Sequence, residues 1–126
     1  MIEFYKNKEN RIIRPELFSI DAENLAKKLV DEKLNKRTQI RKFYDEVVRL
    51  NTLSRSNPKD WENILPYLHM MIAKAVYAEG RKLVTHDFVS FIRESVGQVK
   101  TPGDLDVFST LFEAFMGFYR KYGPSN

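Results

Sequence analysis

Between Thr101 and Tyr122 the large apolar side chains recur at intervals of three or four residues: Leu105, Phe108, Phe112, Phe115, Met116, Tyr119 and Tyr122. That spacing follows the 3.6-residue turn of an α-helix and puts these side chains along one side of it. The ends are marked as well. Thr101-Pro102 supplies a cap with proline in the first turn, Asp104 sits where the helix dipole favours an acid, and Gly123-Pro124 closes the segment. A helix with so bulky an apolar side is stable in water only if other elements cover it, so the rest of the chain has to provide partners.

The upstream sequence provides helices. Asp21 is an N-cap candidate for a helix carrying Leu25, Leu29, Val30 and Leu34 and ending near Lys36. Thr38 caps the next, with Ile40, Phe43, Tyr44, Val47 and Val48 as its apolar stripe. Residues 54–57 form a loop, and Asn57-Pro58 opens a segment reaching Gly80 with Leu65, Leu68, Met71, Ile72, Ala75 and Val76 on its apolar side. Pro66 should break that segment, because a proline inside a helix removes a hydrogen bond and clashes with the preceding turn. Gly80 is the expected left-handed C′ residue. Thr85 caps a helix whose Phe88, Phe91, Ile92 and Val96 share a face, with Gly97 as its stop. No segment alternates with a period of two. The expected fold is therefore all-α, a single compact antiparallel bundle of five to six helices over residues 21–126. Residues 1–20 show no period, mix both signs of charge and contain Pro15, which reads as a loosely attached arm.

Several functions are disfavoured by what the chain lacks. It has no cysteine, hence no disulfide framework and no thiolate metal site, and its two histidines, His69 and His86, form no ligand pair at helical spacing. No glycine-rich phosphate loop is present, and the adjacent acids Asp31-Glu32 and Asp45-Glu46 point in different directions on a helix. No metal, cofactor or catalytic residue is expected. The absence of a long apolar run or an apolar leader gives a cytoplasmic location as the expectation. One spacing stands against this. Arg81 and His86, with four residues between them, fit the Arg-x4-6-His signature of HEPN-type helical ribonucleases, although Gly80 and Thr85 place them around an inter-helix loop rather than at the start of a helix.

The net charge is only +4, but it is unevenly spread. Lys33, Lys36, Arg37, Arg41 and Lys42 follow one another with no acid between them. On a helix starting near Thr38, Arg41 borders the apolar stripe, while Lys42 and Arg49 lie nearer the opposite side. Arg37 stands at the first turn with Gln39 beside it, where free backbone N–H groups and guanidinium charge together suit a phosphate. Charge alone equally describes a solvated helix face. A second set strengthens the nucleic-acid reading. Lys74, Tyr77 and Arg81 share a side of their helix away from Leu68, Ile72 and Ala75, and an exposed ring among cations suits a nucleic-acid backbone or a protein groove. On the last helix, Phe118 and Leu111 lie off the main stripe, leaving apolar surface for a partner or a self-contact in a purely structural adaptor.

Three stretches resemble the small subunit of type III-A (Csm-type) CRISPR interference complexes: Thr38-Gln39-Ile40-Arg41-Lys42-Phe43-Tyr44 opening a helix, Leu68 through Tyr77-Ala78-Glu79-Gly80-Arg81, and the last helix around Phe108, Phe112-Glu113-Ala114 and Tyr119. The resemblance spans roughly residues 25–121 and leaves out the N-terminal arm. It implies a non-catalytic helical bundle that serves antiviral defense. Several copies would stack along the crRNA-holding backbone subunits, beside the large subunit, and present basic side chains to the crRNA–target RNA duplex. By motif position Gln39, Arg41, Lys42 and Arg81 carry over as RNA-binding residues, and the face argument adds Arg37, Arg49 and Lys74.

Overall fold

The computed structural model describes residues 1–123. Five helices follow a short β-ladder: β1 (Tyr5–Asn7), β2 (Ile12–Ile13), α1 (Ala22–Asp31), α2 (Arg37–Ser56), α3 (Trp61–Gly80), α4 (His86–Gln98) and α5 (Pro102–Tyr122). A single π-type turn, Leu17–Asp21, leads into α1, and a 3-10 turn, Pro58–Asp60, leads into α3. The all-helical expectation holds, with 75% of the chain helical. Thr101 caps α5 as expected, and the structure adds a capping box: the Thr101 hydroxyl accepts the Asp104 N–H while the Asp104 side chain accepts the Thr101 N–H. Gly123 ends it, and Pro124 lies outside the described residues.

The periodic stripe of α5 is the centre of the packing. α1 and α2 lie along it, while α3 packs on α4 and on α2. Phe112 shows how tightly the rings interlock. Its ring centroid is 5.3 Å from that of Phe91, 5.6 Å from Tyr44 and 5.8 Å from Phe115. Such tilted and edge-to-face pairs add about 0.5–1.5 kcal/mol each to ordinary area burial. Because α1, α2 and α4 all touch α5, a wider arc of that helix is buried than its main stripe covers. Leu111 is fully buried, which corrects its assignment to an exposed apolar surface, and Phe118 is half-buried against the core.

The N-terminal segment departs from the expected loose arm. Phe4 and Leu17 are fully buried, and the Phe4 ring stacks on Phe108 with centroids 6.3 Å apart. Tyr5 pairs with Ile13 and Asn7 with Ile12 in a bulged antiparallel ladder. Asp104 then ties the ladder to α5. Its carboxylate accepts the Tyr5 hydroxyl, the Arg11 Nη1–H at 2.7 Å, and the backbone N–H groups of Lys100 and Thr101 at 2.9 and 3.1 Å. Burial pushes the Asp104 carboxyl up, but these donors together hold it below the usual carboxylate value. The same network, with desolvation foremost, pushes the Tyr5 phenol up to about 12. A two-residue strand is too short to show a period, so this docking left no signal in the hydrophobic pattern.

Several helix boundaries also differ from expectation: α1 ends at Asp31 instead of near Lys36, and α2 starts at Arg37 without a Thr38 cap and runs on to Ser56, into the expected loop. α3 runs unbroken through Pro66. The carbonyl that Pro66 cannot serve belongs to Glu62, on an exposed stretch where water can reach it, while Ile64, Leu68, Met71 and Ala75 hold the helix to the core on either side. At its C-terminus Gly80 is still helical, and the left-handed residue is Lys82, at φ 60°. The Lys82 N–H donates to Glu79 O and the Leu83 N–H to Ala78 O, the bond pair of a Schellman cap. α4 likewise continues one residue past Gly97 to Gln98. Val48, Val76 and Leu34, expected on apolar stripes, are exposed.

Candidate nucleic-acid interface

α2 and α3 lie side by side, and their outward faces enclose a groove of about 310 Å³. Its floor is apolar, from Phe43, Met71, Ala78 and Leu83, and its polar walls are Gln39, Lys42, Glu46, Lys74, Tyr77 and Arg81. The residues at 39, 42 and 46 on α2, and at 74 and 77 on α3 with Arg81 just past its end, follow the three-and-four spacing that keeps side chains on one helix face. Two hydrogen-bonded links fix the end of the groove where α3 turns into α4. The Lys36 N–H donates to Leu83 O at 3.2 Å, joining the start of α2 to that turn. Buried Asn35 receives the Thr85 N–H at 2.8 Å and donates to Leu29 O at 3.1 Å. Thr85 is thus the first residue before α4, as its sequence position suggested, but its hydroxyl serves Asn35 and Glu32 rather than capping the helix.

Of the seven basic or polar candidates, the structure gathers Gln39, Lys42, Lys74 and Arg81 around the groove. Lys42, expected nearer the side opposite the apolar stripe, lines the groove where α2 meets α3. The Arg81 guanidinium carbon is 5.9 Å from the centroid of the Tyr77 ring, which is 68% exposed. Among the described residues Lys42, Lys74 and Arg81 make no ion pair. Arg49 joins the groove through Glu46, its Nε–H and Nη2–H donating to the two carboxylate oxygens at 2.8 and 2.9 Å. That fork, with the nearby charge of Lys74, holds the Glu46 carboxyl below its usual value, so the acid stays ionised and largely neutralised.

The other two candidates stand elsewhere. Arg41 points along the neighbouring face of α2, where its Nε–H donates to Asp45 at 3.1 Å and its guanidinium lies 6.0 Å from the Tyr44 ring. Arg37 opens α2, one turn before Arg41. Arg41 and Lys42 therefore stand on different faces, because neighbouring residues differ by about 100° around the helix axis. Glu46 and the apolar floor were not among the sequence candidates. Their signal was the three-and-four spacing from Gln39, which runs through an acid.

A larger hollow of about 610 Å³ lies between Leu29, Leu34, Lys36 and Tyr119, with Asn35 on its lining. Asn35 is spent on Leu29, Glu32 and Thr85, and its carbonyl accepts the Tyr119 hydroxyl, so Asn35 acts as a joint between elements, and the polar groups that remain on the hollow's wall are Lys33, Lys36 and Thr38. The Arg81–His86 spacing spans the α3–α4 turn. The His86 Nδ1 lies 3.4 Å from Glu79, and Arg81 faces Tyr77. Among the described residues no group of three or more acids or histidines is placed to hold a metal ion, and no helix is long and apolar enough to cross a membrane.

The chain matches the family model described as Csm2 Type III-A over residues 14–125. No curated protein and no solved structure matches it.

Proposed function

The chain belongs to the Csm2 Type III-A family, and from that premise we propose that the α2–α3 groove is the surface it presents to RNA inside a type III-A CRISPR complex. As a small subunit of such a complex, it assembles with other Csm subunits. In this reading it is a non-catalytic lining subunit that serves antiviral defense in the cytoplasm. Stacked copies contact the crRNA and target RNA while base pairing between the two strands reads the sequence.

The observation that carries the reading is the clustering of Lys42, Lys74 and Arg81 in one groove without ion pairs among the described residues. Unpaired cations facing a common space lower the cost of bringing in a polyanion, and phosphate contacts give affinity without sequence preference. A subunit that must serve many guides needs that indifference. Arg49 backs the groove by neutralising Glu46, the one acid on its wall. Arg37 and Arg41 lie on the adjoining face, where they can meet a second stretch of backbone or a neighbouring copy.

The test is target-RNA binding by the assembled complex across salt, with Lys42, Lys74 and Arg81 replaced together by alanine. Each phosphate contact contributes roughly 0.7–0.9 to the slope of log affinity against log salt, so the slope should fall by about 2–3 per lining copy that engages RNA. An intact complex with unaltered slope and affinity would take these residues out of the role.

A further inference from the structure

Accepting the RNA-lining reading, we infer that the Tyr77 ring is a stacking platform for one unpaired nucleobase, with Arg81 behind it and Lys42 and Lys74 holding the flanking phosphates.

The described tyrosines divide sharply in how they are used. The hydroxyls of Tyr5, Tyr119 and Tyr122 donate to Asp104, Asn35 O and Glu23, and the Tyr44 ring packs on Phe112. Tyr77 has none of these ties. Its ring stands in solvent on the wall of the groove, its hydroxyl has no hydrogen-bond partner among the described residues, and its one ring contact is Arg81. A large aromatic surface left in water beside a cation is poised to accept a second flat group. The guanidinium strengthens stacking on the ring, and the same cation attracts the phosphate that accompanies a nucleotide.

The geometry selects a single-stranded nucleotide over a duplex. Inside a duplex both faces of every base are covered by its neighbours, so a protein ring meets only sugars and phosphates there. A base that is unpaired, bulged or at a strand end has a free π-face. The groove suits that occupant: its floor of Phe43, Met71, Ala78 and Leu83 is apolar, and its rim has two lysines with Gln39 as an amide donor and acceptor. Tyr67 is a natural control. It is 63% exposed on the same helix, but it has no cation beside it and does not line the groove.

The experiment titrates the full chain at low salt with a short single-stranded RNA containing 2-aminopurine, and with a blunt duplex of equal length. Stacking on Tyr77 should quench the 2-aminopurine emission. Tyr77→Ala should weaken single-strand binding roughly tenfold and abolish the quench. Its salt slope should be unchanged, because stacking releases no counterions. Duplex binding should be unaffected, Tyr77→Phe should behave like the wild type, and Tyr67→Ala should change nothing. Equal weakening of strand and duplex by Tyr77→Ala overturns the inference, as does no weakening at all. If Tyr77→Ala is silent while Lys42→Ala and Lys74→Ala still reduce the salt slope, stacking falls and the RNA groove stands. If wild type binds neither RNA, both fall. If Tyr77→Ala spares RNA but prevents co-purification with the other Csm subunits, the ring is a protein contact instead.

Discussion

Replacing Asp104 with asparagine tests whether the first fourteen residues are part of the folded unit. Asp104 is 5% exposed, and its carboxylate receives four hydrogens: two at one oxygen from Tyr5 and Arg11, two at the other from the backbone of Lys100 and Thr101. An asparagine offers one accepting oxygen and one donating NH2. Whichever way the amide turns, it sets donors against donors on one side and loses two charge-assisted bonds. Such bonds contribute about 1.5–3 kcal/mol each. Arg11 is 44% exposed and can regain water, and the Tyr5 hydroxyl can rotate to accept, so the net loss should be about 3 kcal/mol. For a domain of this size that lowers Tm by roughly 10–15 °C. Circular dichroism melts at pH 7 read the loss. Hydrogen exchange should show the backbone N–H groups of Phe4 and Arg14, now bonded to the Gln98 side chain and Phe4 O, exchanging much faster. The pH dependence follows from the signs of the shifts. Asp104 is depressed in the fold, so its contribution is present above its ordinary value and lost as pH falls through the folded one. Tyr5 is raised to about 12, so its contribution is full below its ordinary value of 10.0 and lost as pH rises toward 12. Melting of Asp104→Asn within about 3 °C of wild type, with Phe4 still protected, would refute the reasoning.

Two further outcomes are expected. Leu111→Ala should cost about 2–5 kcal/mol in denaturant unfolding, because it opens a cavity in the core beneath α5; a near-neutral result would mean that Leu111 is the surface residue its off-stripe position suggested. Lys82→Gly should stabilise the chain by about 1 kcal/mol in thermal melts, since a side chain at φ 60° pays a steric cost that glycine avoids, and no change would argue that the Schellman turn is not held in solution.

What the sequence by itself determined is whatever depends on neighbours three and four positions apart. The ring-bearing side of α5, the cap at Thr101, the stripes of α2 and α4, and the shared side of Lys74, Tyr77 and Arg81 all follow from that spacing. So does the helical class. The family resemblance added the Gln39–Tyr44 and Tyr77–Arg81 stretches, and the match over residues 14–125 agrees with it. Tertiary structure alone decided three matters. Tyr5 meets Asp104 across 99 residues, a pairing that leaves no local pattern and turns an expected arm into part of the core. α3 passes through Pro66 because buried side chains on both sides of it outweigh one lost hydrogen bond, a balance set by packing and not by propensity. The groove itself exists only because α2 and α3 lie side by side, which unites Gln39 and Lys42 with Lys74 and Arg81 while turning Arg41 aside. Periodicity determines which side of a helix is wet; which wet sides face one another is settled by how the buried sides fit together.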